Sequence, residues 1–133
     1  MKLKYSLPAS VGAAIAIGVF SQTADAVQAK DFSFDTTHDL YEVCATNPDD
    51  ANYVTASLAC RAFIEATVQY HDEVTNRKNL KPLICYPKGT TIDDGKAAFL
   101  AWAQKHGSNK RLMAEQPVVG LVRSLASKYP CKL

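Results

Sequence analysis

The chain has 133 residues, 21% of them charged, and its formal net charge at pH 7 is +2. This length suits one small domain. So small a net charge gives no support to nucleic-acid binding by bulk electrostatics. The most apolar stretch, near the N-terminus, is shorter than the ~20 residues that a membrane span needs.

The first 26 residues have the features of a secretory signal peptide. Lys2 and Lys4 precede a run of small apolar residues from Ala9 to Phe20, and an Ala-x-Ala cleavage motif ends at Ala26. A second cleavage site lies after Ala29. We therefore predict export through a cleaved signal, a periplasmic location in a bacterium, and a mature chain with a net charge of about +1. The alternative is a membrane anchor, which the short apolar run disfavours.

The mature chain is predicted to be all-α, with four helices. Residues 27–35 lack a helical period and are expected to form a flexible lead-in, so the helical domain spans residues 36–133. Thr36-x-x-Asp39 has the spacing of a capping box and opens a first helix that runs through Ala45. Proline at position 48 ends this first element.

The second helix is predicted over residues 51–75 and is the longest. Its core face is expected to contain Val54, Cys60, Ile64, Thr67, Val68, His71 and Val74, opposite a stripe of polar residues. A basic, polar loop follows, and Leu83-Ile84 is expected to return to the core.

Two further helices complete the domain. Thr91-x-x-Asp94 is a second capping box and opens a helix that ends at His106. Pro117 fits the first turn of a fourth helix, which continues to Tyr129. Its apolar stripe contains Val118, Leu121, Val122, Leu125 and Tyr129, and Ser124 is expected on the outer side. No alternating strand pattern is found in the mature chain.

Four cysteines in an exported chain predict disulfides. Sequence alone allows three pairings. Two antiparallel helices place Cys85, before the third helix, beside Cys131, after the fourth, so we expect Cys85–Cys131 and Cys44–Cys60. A zinc site, the alternative, would need close pairs such as Cys-x-x-Cys, which the chain lacks.

The sequence contains no convincing catalytic, cofactor or metal site. His71 and Asp72 are adjacent and should point to different sides of their helix, which is poor geometry for a base and its orienting carboxylate. The paired acids at residues 49–50 and 93–94 lie at helix starts, where capping accounts for them. By elimination we expect a binding protein rather than an enzyme; the remaining enzyme hypothesis is cysteine- or metal-dependent chemistry.

Several motifs are similar to the Rap/Tai family of immunity proteins. They are Leu40-Tyr41-x-x-Cys44, Cys60-Arg61-Ala62-Phe63-Ile64-Glu65-Ala66, Cys85-Tyr86-Pro87-Lys88-Gly89-Thr90-Thr91, Val118-Val119-x-Leu121-Val122 and Tyr129-Pro130-Cys131. The family places Gly-Tyr and a second glycine where this chain has Ala62-Phe63 and Ala66. The resemblance implies an all-α periplasmic protein, often a homodimer, that binds a type VI secretion peptidoglycan amidase and occludes its active-site cleft.

Two polar loops are the candidate partner-binding segments, residues 76–81 and 108–111, because both carry clustered positive charge. The candidate residues are Arg77, Lys78, Lys81, Lys110 and Arg111. Positive charge at these loops would speed association with a partner whose cleft has an acidic rim. The main rival hypothesis is a small periplasmic chaperone of the acid-stress type, which would share the signal peptide and the bridged helices.

Overall fold

The computed structural model describes residues 26–132, so nearly all of the predicted signal peptide lies outside the described residues. The described residues contain five α-helices and no strand, which confirms the all-α class. Their bounds are α1 Thr37–Cys44, α2 Tyr53–Arg77, α3 Ile92–His106, α4 Lys110–Met113 and α5 Pro117–Lys128, preceded by a 3-10 helix at Ala29–Ser33. Four of the five α-helices are those expected, and α4 is a single turn in the connection before α5.

Two capping boxes set the starts of α1 and α3. The Thr36 hydroxyl accepts a hydrogen bond from the Asp39 amide at 3.1 Å, and the Thr91 hydroxyl accepts one from the Asp94 amide at 3.1 Å. Each aspartate in turn accepts from the backbone amide of its threonine. Hydrogen bonds from the backbone and hydroxyl of Thr91 lower the pKa of Asp94. Both helix starts agree with the sequence-based prediction.

The core forms where α1, α3 and α5 meet the first half of α2. Its largest fully buried side chains are Phe99, Leu40, Ile64, Leu121, Leu125 and Val43. The second half of α2 extends beyond α1 and is covered on one side by the segment that leads into α3. After Ile64, α2 contains only exposed and half-buried residues, and the same holds for residues 78–83, which follow it.

α1 and α5 are in close contact at Thr37 and Gly120. Thr37 is fully buried, and its hydroxyl donates to the carbonyl oxygens of Glu115 at 3.0 Å and Gln116 at 3.2 Å. A Cβ on Gly120 would lie 2.3 Å from the Thr37 side chain. The absence of a side chain at position 120 is what permits this contact.

Two disulfides tie the helices together. Cys44 at the end of α1 is bonded to Cys60 in α2, and Cys85 is bonded to Cys131, the pairing expected from the helix order. The first bond is buried in the core, whereas the second lies at the periphery, beside the end of α5. None of the cysteines of residues 26–132 is free.

Three side chains predicted by helical period face the other way. Val54 and Val118, expected in the core, are 69% and 40% exposed, and each is the second residue of its helix. Ser124, expected outside, is buried; its hydroxyl donates to the Leu121 carbonyl at 2.7 Å, which offsets the cost of burying it.

Residues 27–35 also differ from the flexible segment that we expected. They include the 3-10 helix, Val27 is buried, and the Asp31 carboxylate accepts a hydrogen bond from the Gln28 amide at 2.7 Å. One turn of 3-10 helix is too short to produce a period in the sequence, so no pattern indicated it.

Candidate partner-binding surface

The connection that follows α2 exposes both apolar and basic side chains. We name residues 78–83 the Leu–Lys loop; its sequence is Lys78-Asn79-Leu80-Lys81-Pro82-Leu83. Leu80 and Leu83 are 53% and 62% exposed, and both lysines are also exposed. Exposed leucines are informative when they cluster, because a contiguous apolar surface rimmed by charge is typical of a protein-binding site.

The backbone at the start of the Leu–Lys loop is held by the end of α2. Asn79 has a left-handed conformation with φ of 50°, and the amide of Leu80 donates to the carbonyl of Thr75 at 3.0 Å. This is the pattern of a Schellman helix end with asparagine in the left-handed position. The first exposed leucine therefore has a defined position relative to the helix.

The far end of the loop is held by the core and by a disulfide. Ile84 is buried, directly after the exposed Leu83. The amide of Cys85 donates to the carbonyl of Tyr129 at 2.9 Å, and its sulfur is bonded to Cys131. The prediction that Leu83-Ile84 returns to the core is correct for Ile84 and wrong for Leu83.

A hydrogen-bond network lies beneath the Leu–Lys loop. His71 Nε2 accepts from the amide of Leu83 at 3.1 Å, and His71 Nδ1 lies 2.9 Å from Asp72 Oδ1. The Tyr86 hydroxyl donates to the same carboxylate oxygen at 3.2 Å. Our expectation that His71 and Asp72 point apart is wrong, because both side chains extend far enough beyond Cβ to meet at the edge of the helix.

The pKa of Tyr86 is raised in this network. Burial raises the pKa of this phenol, and the negative charge of Asp72 and the hydrogen bond to it raise it further. The hydroxyl therefore stays protonated well above the pH at which a free tyrosine ionises, and remains a donor to the carboxylate.

We expect the stability of the protein to fall in alkali, in part through Tyr86. Above about pH 10 an unfolded tyrosine releases a proton that folded Tyr86 keeps, so its contribution is present below that pH and decreases as the pH rises. The Tyr86→Phe variant should lose less free energy of unfolding than the wild type between about pH 9.5 and 11.5. Tyr70→Phe is the matched control, because Tyr70 is 72% exposed. Equal alkaline loss in wild type and Tyr86→Phe, measured by urea titration, would contradict this assignment.

The second candidate segment, residues 108–111, is only partly a loop. Lys110 and Arg111 belong to α4, which Asn109 caps by accepting a hydrogen bond from the Leu112 amide at 3.2 Å. Both basic side chains are exposed, while Leu112 and the residue after it are buried. The segment offers positive charge without an exposed apolar residue.

The five basic candidates lie on three parts of the chain. Arg77 is the last residue of α2 and forms an ion pair with Glu73 on the same helix. Lys78 and Lys81 lie in the Leu–Lys loop, whereas Lys110 and Arg111 follow α3. Among the described hydrogen bonds and ion pairs, none joins the loop to α4.

The other two histidines of the described residues make local contacts. His106 packs on Trp102 with ring centroids 4.8 Å apart, and His38 lies 3.4 Å from Glu42 on the exposed side of α1. Within residues 26–132 there is no group of three or more His, Cys, Asp or Glu side chains placed to hold a metal ion. The leucines of the Leu–Lys loop were missed as candidates: Leu83 was expected in the core with Ile84, and Leu80 was counted as part of a polar loop.

Residues 36–131 match the family model of the Rap1a immunity proteins. The chain belongs to the Rap1a immunity protein family. This confirms the resemblance noted in the cysteine-bearing motifs, and the matched range contains all five α-helices and both disulfides. No curated protein and no solved structure matches the chain.

Membership indicates that this Rap1a-family protein protects against an effector of a type VI secretion system, as an inhibitor rather than an enzyme. Two disulfides fit a secreted or periplasmic protein. None of the helices between residues 26 and 132 combines the length and hydrophobicity that crossing a bilayer requires.

Proposed function

We propose that this protein is exported to the periplasm, binds a type VI secretion peptidoglycan amidase through the Leu–Lys loop, and occludes the active-site cleft of that enzyme. The family match is the observation that carries the proposal. The amidase and the cleft come from the resemblance to the Rap/Tai proteins, and the choice of loop comes from the structure.

The Leu–Lys loop suits a cleft because it combines anchors, charge and rigidity. Leu80 and Leu83 supply apolar surface that loses water on binding, and Lys78 and Lys81 supply positive charge at the rim. The helix end and the Cys85–Cys131 bond fix the loop before it meets a partner. A loop that is already ordered loses less conformational entropy on binding.

A homodimer, which the family resemblance also implies, can coexist with this binding mode. The N-terminal half of α2 exposes Val54 and Leu58, at 69% and 64%. Leu58 is twenty residues from the start of the Leu–Lys loop, which is about 30 Å along the helix. A second copy bound at Val54 and Leu58 would leave the loop accessible.

The direct test is inhibition of a purified type VI secretion amidase, taken first from genes adjacent to this one. The mature protein should stop hydrolysis of peptidoglycan fragments at an equimolar ratio. An amidase that binds the protein and keeps full activity would contradict occlusion. If type VI amidases neither bind it nor are inhibited by it, the proposed function is wrong.

Substituting both leucines should disrupt the complex. The Leu80→Asp, Leu83→Asp double variant is expected to raise the dissociation constant at least about 100-fold, since it places charge in an apolar contact. Val119→Asp is the control, because Val119 is 40% exposed at the start of α5, away from the loop. Isothermal titration calorimetry measures both. If both changes raise the dissociation constant equally, the Leu–Lys loop is not the contact.

Charge reversal should act mainly on the association rate. Lys78→Glu with Lys81→Glu is expected to slow association about tenfold at low ionic strength, and less in 0.15 M salt. Lys110→Glu with Arg111→Glu makes the same charge change at α4 and should leave the rate near that of the wild type. Stopped-flow kinetics decides between the two basic segments; a larger effect at α4 would move the contact there.

A further inference from the structure

Among the described residues, His71 has the only side chain of α2 that accepts a hydrogen bond from the backbone of the Leu–Lys loop. Its side chain is only 10% exposed, and its Nε2 atom accepts from the amide of Leu83, twelve residues along the chain, at 3.1 Å. Leu83, whose amide makes this bond, has an exposed side chain, and the next residue, Ile84, is buried. The imidazole thus fixes the backbone that carries the second leucine.

The partners of the ring fix its protonation state. A backbone amide is always a donor, so Nε2 must be the unprotonated nitrogen. The proton of the neutral ring is then on Nδ1, which donates to Asp72 Oδ1 at 2.9 Å. Tyr86 donates to the same oxygen, and its raised pKa keeps it a donor. Asp72 therefore orients the ring and selects its tautomer.

We infer that His71, as the neutral Nδ1–H tautomer, is the positioning residue of the Leu–Lys loop, and that its protonation releases the backbone at Leu83 from α2. The fixation of the loop stands on these contacts alone. Its importance for binding the amidase rests on the proposed function.

Protonation removes the only acceptor that the ring offers to Leu83. An imidazolium carries N–H groups at both nitrogens, so Nε2–H and the Leu83 amide would face each other as two donors. The titratable groups that face the ring are Asp72 on α2, which is charged, and Tyr86 from the segment before α3, whose neutral phenol lies edge-on to the imidazole. The remaining residues of the cavity beneath the loop are uncharged: Thr75, Asn76, Asn79, Leu80, Pro82 and Ile84.

The attraction of Asp72 keeps a protonated ring in place, because the carboxylate still accepts from Nδ1. The loop then loses its contact without any movement of α2. The Schellman end at Asn79 and the Cys85–Cys131 bond continue to hold the two ends of the loop. The release is therefore local, and is confined to the residues on either side of Leu83.

The test uses the mature protein with both disulfides formed and needs no partner. Two-dimensional NMR of the ring nitrogens reports the tautomer of His71 in the wild type. At neutral pH we expect the Nδ1–H form, and a protected Leu83 amide. As His71 titrates, exchange of that amide, corrected for its intrinsic pH dependence, should accelerate about tenfold, as expected for the loss of one hydrogen bond.

Two substitutions distinguish the effect of the hydrogen-bond acceptor from the effect of the aromatic ring. His71→Gln places an amide oxygen near the position of Nε2, so it should retain protection of Leu83 and make it independent of pH. His71→Phe keeps a ring without an acceptor and should accelerate Leu83 exchange about tenfold at neutral pH. Thermal melting of each variant reports whether the fold is intact. Exchange at Cys85, whose amide is bound to Tyr129, serves as an internal reference.

An Nε2–H tautomer in the wild type would overturn the inference whatever the variants do. So would unchanged Leu83 exchange in a folded His71→Phe protein. If the exchange results agree and type VI amidases do not bind, the proposed function fails and the loop-positioning role stands. If amidases bind and His71→Phe raises the dissociation constant while His71→Gln does not, both are supported.

Discussion

Replacing Cys85 and Cys131 together by alanine should lower the free energy of unfolding by about 4 kcal/mol. The two residues are 46 positions apart, so the disulfide closes a long loop and removes many conformations from the unfolded chain. A domain of this size has a total stability of roughly 5–15 kcal/mol. The variant should therefore remain folded at room temperature but melt far earlier, as urea and thermal unfolding will measure.

The Cys44–Cys60 bond is the comparison for this prediction. Its separation of 16 residues gives about 3 kcal/mol in the same chain-entropy model. These cysteines are buried, so alanine substitution also removes packed atoms, whereas the Cys85–Cys131 pair lies near the surface. A loss under about 1 kcal/mol for the Cys85, Cys131 variant would show that the unfolded chain is not restricted in the way the model assumes.

Gly120→Ala should destabilise the protein by about 2 kcal/mol, although alanine is the better helix former. The added methyl group would lie 2.3 Å from Cγ2 and Oγ1 of Thr37. Thr37 cannot rotate away at low cost, because it is fully buried and its hydroxyl is bonded to carbonyl oxygens at the start of α5. The two helices must therefore separate, or the hydroxyl must lose its acceptors.

Gly95→Ala is the matched control for that substitution. A Cβ on Gly95 in α3 would lie 3.6 Å from Ile64 and 3.7 Å from Leu125, which are ordinary contact distances. This variant should be as stable as the wild type or up to about 1 kcal/mol more stable, through helix propensity alone. Thermal unfolding of the two variants gives the comparison. Equal destabilisation by both would mean that the space around position 120 is not the cause.

Helix capping and helical period predicted most of the fold. Thr36-x-x-Asp39 and Thr91-x-x-Asp94 mark the observed starts of α1 and α3, because a capping box depends only on residues three apart. The pairing of the cysteines followed from the order of the helices. These features are local, or depend on topology alone, and can be read from one sequence.

The errors have a common physical cause, which is that exposure depends on neighbours far away in sequence. Period placed Val54 in the core, but its side chain is 69% exposed. Ser124 was expected outside, yet it is buried where α5 packs against α3, and its hydroxyl bond to the Leu121 carbonyl offsets the cost of that burial. Leu83 is exposed, and its backbone amide is held by His71, twelve residues before it. Nothing in the pattern of residues 78–83 indicates that constraint.

The Cys85–Cys131 bond also decides how the protein can be handled. The Cα atoms of these two residues are 4.9 Å apart, and Leu83 is two residues before Cys85. Any polypeptide attached after Cys131 therefore starts next to the Leu–Lys loop and would compete with a partner for that space. Affinity tags and fluorescent fusions belong on the N-terminal side of the helical domain.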